Sequence, residues 1–156
     1  MNRMHPLSFI LIASIVFFSA CTTTGVFEKN IPIPNHKWES TFQPVIDFDI
    51  IDTTSSYNIY IVLRHTNKYS YNNIWVKGSV KGPGSDQWKS EQLDLLLATN
   101  DKGWLGSGMD DIFEHRVLVQ HQTLKSGKYE YRIQQIMRED PLPEVMNVGL
   151  RIEKAP

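Results

Sequence analysis

Cysteine is nearly missing from this chain of 156 residues: there is one, Cys21. A single thiol excludes an internal disulfide, so the fold has to be held by its core. Excess charge of either sign is also missing, with 16 Lys and Arg against 17 Asp and Glu. No charge run exceeds three residues. That excludes the basic stripe of a nucleic-acid binder and the polybasic patch of an electrostatic membrane binder. Amphipathic segments at helical spacing are lacking, as are internal repeats and low-complexity stretches. The longest apolar run stops short of the roughly 20 residues a membrane-spanning helix needs.

The one cysteine sits at the end of that apolar run, in SFILIASIVFFSACTTTG, Ser8 to Gly25. A single Cys is most often a small buried hydrophobe, but its flanks point elsewhere. Arg3 and His5 come first, then fourteen uncharged residues from Leu7 to Ala20, ending in the small pair Ser19-Ala20. This is the order of a secretory signal peptide. Ending directly before Cys, it resembles the bacterial lipoprotein signal, with Phe18 where Leu is usual. The resemblance implies that Cys21 is joined to diacylglycerol through its sulfur and that the new amino terminus carries a further fatty acyl chain such as palmitate. Two or more acyl chains make a stable anchor, where one binds marginally. No Asp follows Cys21, which by the same resemblance favours the outer membrane, on its periplasmic leaflet.

These features divide the chain into a signal peptide at 1–20, a lipidated extended tether at 21–35 and one domain at 36–156. The tether assignment rests on Thr22 to Gly25 and on Ile31-Pro32-Ile33-Pro34, whose prolines fix φ and favour an extended path. Without residues 1–20 the balance is 15 basic to 17 acidic, so charge does not announce a partner.

Period-2 alternation dominates the domain. Tyr57, Ile59, Ile61 and Leu63 fall on one face, against Asn58, Tyr60, Val62 and Arg64 on the other. Tyr129, Tyr131 and Ile133 alternate with Glu130, Arg132 and Gln134; Met146, Val148, Leu150 and Ile152 alternate with Asn147, Gly149, Arg151 and Glu153. Similar patterns occur at 45–50, 73–80, 91–98 and 115–122, and 109–114 suggests one helical turn. Turn clusters at Asp52 to Ser56, Lys81 to Gly84, Asn100 to Gly103 and Lys125 to Gly127 separate the runs. An all-β fold is expected: a single antiparallel β-sandwich of 7–9 strands.

Catalytic patterns are sparse. His115 and His121 share a strand face but are six apart, where ligands two apart would pair better on a metal. Ser107 in Gly106-Ser107-Gly108 lacks the frame of a nucleophile elbow. Asn100, Asp101, Asp110, Asp111 and Glu114 are hard oxygen donors for calcium without the spacing of a calcium loop, and Asp101-Lys102-Gly103 reads better as a hairpin turn. No cofactor is assigned. Trp38, Trp75, Trp88 and Trp104 leave glycan stacking open against the ordinary role of Trp as a core or interface anchor. Trp75 falls on the polar face of its strand, and Trp104 lies in a glycine-rich loop.

Four segments together carry a wider resemblance: LRHTNKYSYNNIWV (Leu63 to Val76), DKGWLGSGMDDI (Asp101 to Ile112), GKYEYRIQQIMREDPL (Gly127 to Leu142) and VMNVGLRIEK (Val145 to Lys154). With Cys21, their order and spacing resemble the GldH family of gliding-motility lipoproteins of Bacteroidetes over nearly all of the mature chain. Pro143 and Glu144 stand where a Gly-like turn is expected. The resemblance implies a β-sandwich lipoprotein of the outer membrane, needed for gliding and associated with type IX secretion, with no catalytic residues to transfer. Arg64, Arg132, Arg138 and Arg151 occupy polar strand positions, with Glu130, Asp140 and Glu153 close in sequence. Ion pairs on a solvated face are the plain interpretation. A partner-binding surface of Trp104, Arg138, Asp140 and Arg64 is the sharper expectation, with a protein as partner and a glycan as the alternative.

Overall fold

The alternation becomes strands almost everywhere it was read. The computed structural model describes residues 26–156, so the signal peptide and Cys21 lie outside the described residues. The strands are β1 (Val26–Pro32), β2 (Lys37–Trp38), β3 (Val45–Ile50), β4 (Ser56–Thr66), β5 (Asn73–Lys81), β6 (Lys89–Leu96), β7 (Ala98–Thr99), β8 (Gly103–Trp104), β9 (Ser107–Met109), β10 (Ile112–Thr123), β11 (Gly127–Gln135), β12 (Leu142–Pro143) and β13 (Val145–Lys154). A five-stranded sheet runs β1-β13-β4-β10-β9 and a four-stranded sheet runs β3-β11-β5-β6, every pairing antiparallel. These nine strands are the expected sandwich. Two short ribbons, β12-β2 and β7-β8, bring the described strands to thirteen.

The core is what the two inner faces bury. Along β4, Tyr57, Ile59, Ile61, Leu63 and His65 all point inward and are at most 5 % exposed. β11 adds Tyr129, Tyr131 and Ile133, and β13 adds Val148, Leu150 and Ile152. Each such aliphatic or aromatic side chain contributes on the order of 2 kcal/mol by leaving water. Trp38 is fully buried, and its indole N–H donates to the Phe42 carbonyl at 2.9 Å, which meets the polar demand of a buried Trp.

Two expectations are corrected here. Val26–Pro32, assigned to the tether, is extended but belongs to the sheet: it pairs with β13 from Val26↔Glu153 to Pro32↔Asn147. The domain therefore starts at Val26, not at 36. Gly149 explains the close pairing, since a Cβ there would strike the Asn30 side chain and the Lys29 carbonyl. The second correction concerns 109–114. In place of a helical turn, the chain makes a hairpin from β9 into β10, with Asp110 at φ 54° in its turn and Met109 opposite Ile112.

The outer face of the five-stranded sheet carries an ion-pair chain. Arg64 meets Glu114 at 2.6 Å, Glu114 meets Arg116 at 3.1 Å, and Arg116 reaches Glu28 at 3.7 Å; Glu28 also holds Arg151 at 2.7 Å, which reaches Glu153 at 2.9 Å. The Arg151 guanidinium holds the Glu28 carboxyl below its ordinary range, even though partial burial alone would raise it. These pairs bind β1 to the sheet across strands, and each exposed pair adds roughly 0.2–1 kcal/mol.

Candidate functional site

All four quoted segments reach one end of the sandwich, the end where β4 finishes and β10 begins, the fourth through Val145 opposite His65. His65 continues the inward face of β4 and is fully buried. On β10 opposite, His115 is 2 % exposed, and the two imidazoles meet Nε2 to Nε2 at 2.9 Å. The Nδ1–H of His65 donates to the Thr66 carbonyl at 2.7 Å. Its Nε2 must then be the acceptor, and His115 Nε2–H the donor. Burial pushes His65 below the ordinary histidine pKa, and burial with the neighbouring His65 pushes His115 down to about 4. The pair is neutral.

Rings close around it. His65 lies 4.4 Å from Trp104, 5.1 Å from Tyr69 and 5.9 Å from Phe113 between ring centres. Trp104 is held there by the β7-β8 ribbon, where it opposes Ala98. Gly106 lets the following loop lie against β10, because a Cβ there would collide with the Glu114 carbonyl and come within 2.9 Å of the His115 ring. Trp104 is thus half-buried against the core, and not the exposed loop aromatic that the sequence suggests. Among the described residues no hydroxyl or carboxylate hydrogen-bonds either imidazole, so the pair has no triad geometry.

The ring cluster continues outward to a groove. Tyr69 lies 5.7 Å from Tyr71, and the Tyr71 hydroxyl donates to Glu139 at 2.7 Å. Tyr71, Trp75, Ile136, Met137, Arg138 and Glu139 line this groove. Trp75 is 41 % exposed, on the polar face of β5 as its position in the alternation requires. The Trp75 backbone N–H donates to the Met137 sulfur at 3.2 Å, which fixes the segment after β11 against β5. Arg138 is exposed and sits in that segment, not on a strand.

Asp140, also exposed, faces back to the segment after β2. Its carboxylate accepts from the Ser40 hydroxyl, from the Ser40 backbone N–H at 2.9 Å and from Gln135 at 3.3 Å. The Ser40 hydroxyl, more than any other group, holds the Asp140 carboxyl below its ordinary range. At the same end Glu144 takes φ 68°, the left-handed conformation that a glycine-like turn demands, and accepts from the Thr66 hydroxyl. Pro143-Glu144 therefore makes the turn without glycine.

The four proposed partner residues divide accordingly. Trp104, Arg138 and Asp140 share one end, with Trp104 connected to the Arg138 groove through Tyr69, Tyr71 and Glu139. Arg64 lies on the outer sheet face in the ion-pair chain. The calcium reading does not gather its donors: Glu114 holds Arg64 and Arg116, and Asp111 accepts from Asn67 at 2.7 Å. His121 pairs with Asn58 at 2.7 Å on the surface and not with His115. The partnership of His65 with His115 was missed, although His65 is the next inward position after Leu63 in an alternation already read.

Comparison with known proteins gives the same direction. Residues 25–152 match the family model described as GldH lipoprotein. A protein of Christiangramia forsetii called gliding motility lipoprotein GldH homolog is 31% identical, with 94% of each chain covered. The gliding motility lipoprotein GldH of Flavobacterium johnsoniae is 28% identical, covering 97% of this chain and 98% of its own. Among solved structures, a carbohydrate-binding module specific for non-crystalline cellulose is similar at 10% identity and a TM-score of 0.42, over 81% of this chain and 70% of its own, a likeness too distant to bear on function.

Proposed function

Since the chain belongs to the GldH lipoprotein family, a family of gliding motility, we propose that it is a non-enzymatic component of the gliding and type IX secretion-associated apparatus. It is anchored through acylated Cys21 in the outer membrane, faces the periplasm and acts by protein contacts. The observation that carries this reading is the groove of Trp75, Met137, Arg138 and Glu139: exposed aromatic and charged side chains together, with Met137 held by the Trp75 backbone N–H and Glu139 by the Tyr71 hydroxyl. Such a mixture of an aromatic anchor and Arg is what protein interfaces favour. The hydrogen bonds of Asp140 make it a positioning residue for this segment, and Trp104 supports it from the core side.

The test is complementation of a strain lacking the protein, scored by secretion of a type IX cargo and by colony spreading where the species glides. Arg138→Ala and Cys21→Ala are expected to fail to rescue while the Arg138→Ala protein keeps its melting temperature. Full rescue by Arg138→Ala removes the groove from the mechanism. Exposed Trp75 supports a second reading, glycan binding on the four-stranded face. Tryptophan fluorescence unchanged across a panel of polysaccharides counts against it.

A further inference from the structure

The opposite end of the sandwich has its own groove where the two sheets part, lined by apolar side chains from Val26, Phe27, Phe48, Ile50, Tyr57 and Ile152 together with Asp49, Asp52 and Lys154. Next to it Ile51 is 89 % exposed, the most exposed of the large hydrophobic side chains in the described residues. The groove's floor is the edge of the core, where Phe27 packs on Phe48 at 6.0 Å, whereas Ile51 takes no part in the core. This end is also where the described chain begins. Cys21 precedes Val26 by five residues, and a fully extended chain covers at most ~3.6 Å per residue, so the cysteine lies within about 18 Å of the groove. β4 runs from this end to the ring cluster in 11 residues, about 35 Å at strand spacing. A Cys21 anchor therefore keeps this end nearer the membrane surface than the ring-cluster end.

We infer that the Val26 end of the sandwich seats on the bilayer, with Ile51 in the interfacial layer and the apolar groove covered by lipid, so that the Arg138 groove faces away from the membrane. The inference rests on Cys21 being the lipid anchor, as proposed above. Lipid is the occupant that fits. The groove is mostly apolar with Asp49, Asp52 and Lys154 beside its apolar wall, as a lipid with a polar head requires. It adjoins the anchor point, and acyl chains tethered within about 18 Å keep this face near the surface. The loop bearing Ile51 is stiffened for such a role by Asp52, which accepts from Thr54 and Ser55 and pairs with Lys154 at 2.7 Å.

The chain's cysteine count makes the test clean, since acylation consumes its only thiol. Ile51→Cys and Met109→Cys are purified as full-length membrane-extracted protein, checked for acyl mass, labelled with an environment-sensitive fluorophore and reconstituted into phosphatidylethanolamine–phosphatidylglycerol vesicles. Met109 is 78 % exposed and lies at the far end. The expected result is a blue shift at position 51 with quenching by brominated-chain lipid several-fold stronger than at 109. Acylated protein with an unquenched probe at 51 overturns the seat and leaves the anchor standing. A blue shift without lipid quenching assigns the groove to a protein segment, and quenching at 109 reverses the orientation; both overturn the inference. Absence of acyl mass, with a Cys21 thiol that labels, overturns anchor and seat together.

Discussion

β4 leaves the turn after Asp52 with Tyr57 beside the groove of Val26 and Ile152, and reaches its other end at His65 among four aromatic and imidazole rings. The same strand thus serves two ends of different chemistry. Near the chain's start a mostly apolar groove opens beside exposed Ile51, and Asp52 on its wall is held well below the ordinary carboxylate range by Lys154 and its own turn. At the far end buried rings back an exposed Arg138, Glu139 and Asp140. An apolar groove with a few charged groups on its wall suits a fluid partner with polar heads. Fixed charges on a rigid backing suit a partner with a shape. One sheet pair can supply both, because alternation governs the inner face along the whole strand and leaves the ends to the loops.

The ends should respond differently to the same kind of damage. Trp104→Ala removes a half-buried indole that packs on His65, Tyr69 and Phe113, and is expected to cost about 3 kcal/mol in chemical unfolding. A change below measurement error would detach Trp104 from the core and return it to the surface role read from its loop. Acid is next. Folded His115 holds its proton only below about 4, against an ordinary 6.5, so between these values the unfolded chain binds the extra proton. Stability is then full above pH 6.5 and is lost as pH falls toward 4, at no more than ~1.4 kcal/mol per pH unit for one histidine. His65 shifts in the same direction. Flat unfolding free energies between pH 6.5 and 4.5 would contradict the neutral imidazole pair.

Asp140→Ala deletes an exposed acceptor of two Ser40 bonds and is expected to lower stability only slightly, with the loss seen first as faster amide exchange at Ser40. Unchanged exchange would free Asp140 for direct contact with a partner. At the other end, Ile51→Ser should alter stability by less than ~0.5 kcal/mol, because the side chain has almost nothing to lose. A larger drop would place Ile51 in the fold and weaken its assignment to lipid.

Much of the fold could be read because the sandwich is built on one rule. Alternation identified β4, β11 and β13 with their inward faces, and Trp75 came out on the polar side as its position requires. Met146 departs from its expected inward place because the register shifts between Val145 and Asn147, which puts Val145 in the core instead. Where local signals compete, the reading went astray. The Ile-Pro repeat looked like a spacer, yet pairing with β13 begins at Val26 and runs up to Pro32, whose lack of an N–H is tolerated on an edge strand. Met109 to Glu114 resembled a helical turn because a tight hairpin and a single helical turn share short-range composition. The site was less legible still. His65 and His115 are fifty residues apart, and only strand register brings them together.

β1 runs from the Val26 end toward the end that carries the Arg138 groove, and pairs with β13 over seven residues. Tension between a membrane-held cysteine and a partner at the far end would therefore pull β1 lengthwise. The ladder is loaded in shear, with its bonds sharing the force at once instead of parting one after another as in peeling. Gly149, which lets the two backbones approach, and the Glu28–Arg151 pair across them are thus parts of a mechanical joint. A sheet whose first strand is mounted in this direction resists a pull on that strand's free end better than one mounted to peel.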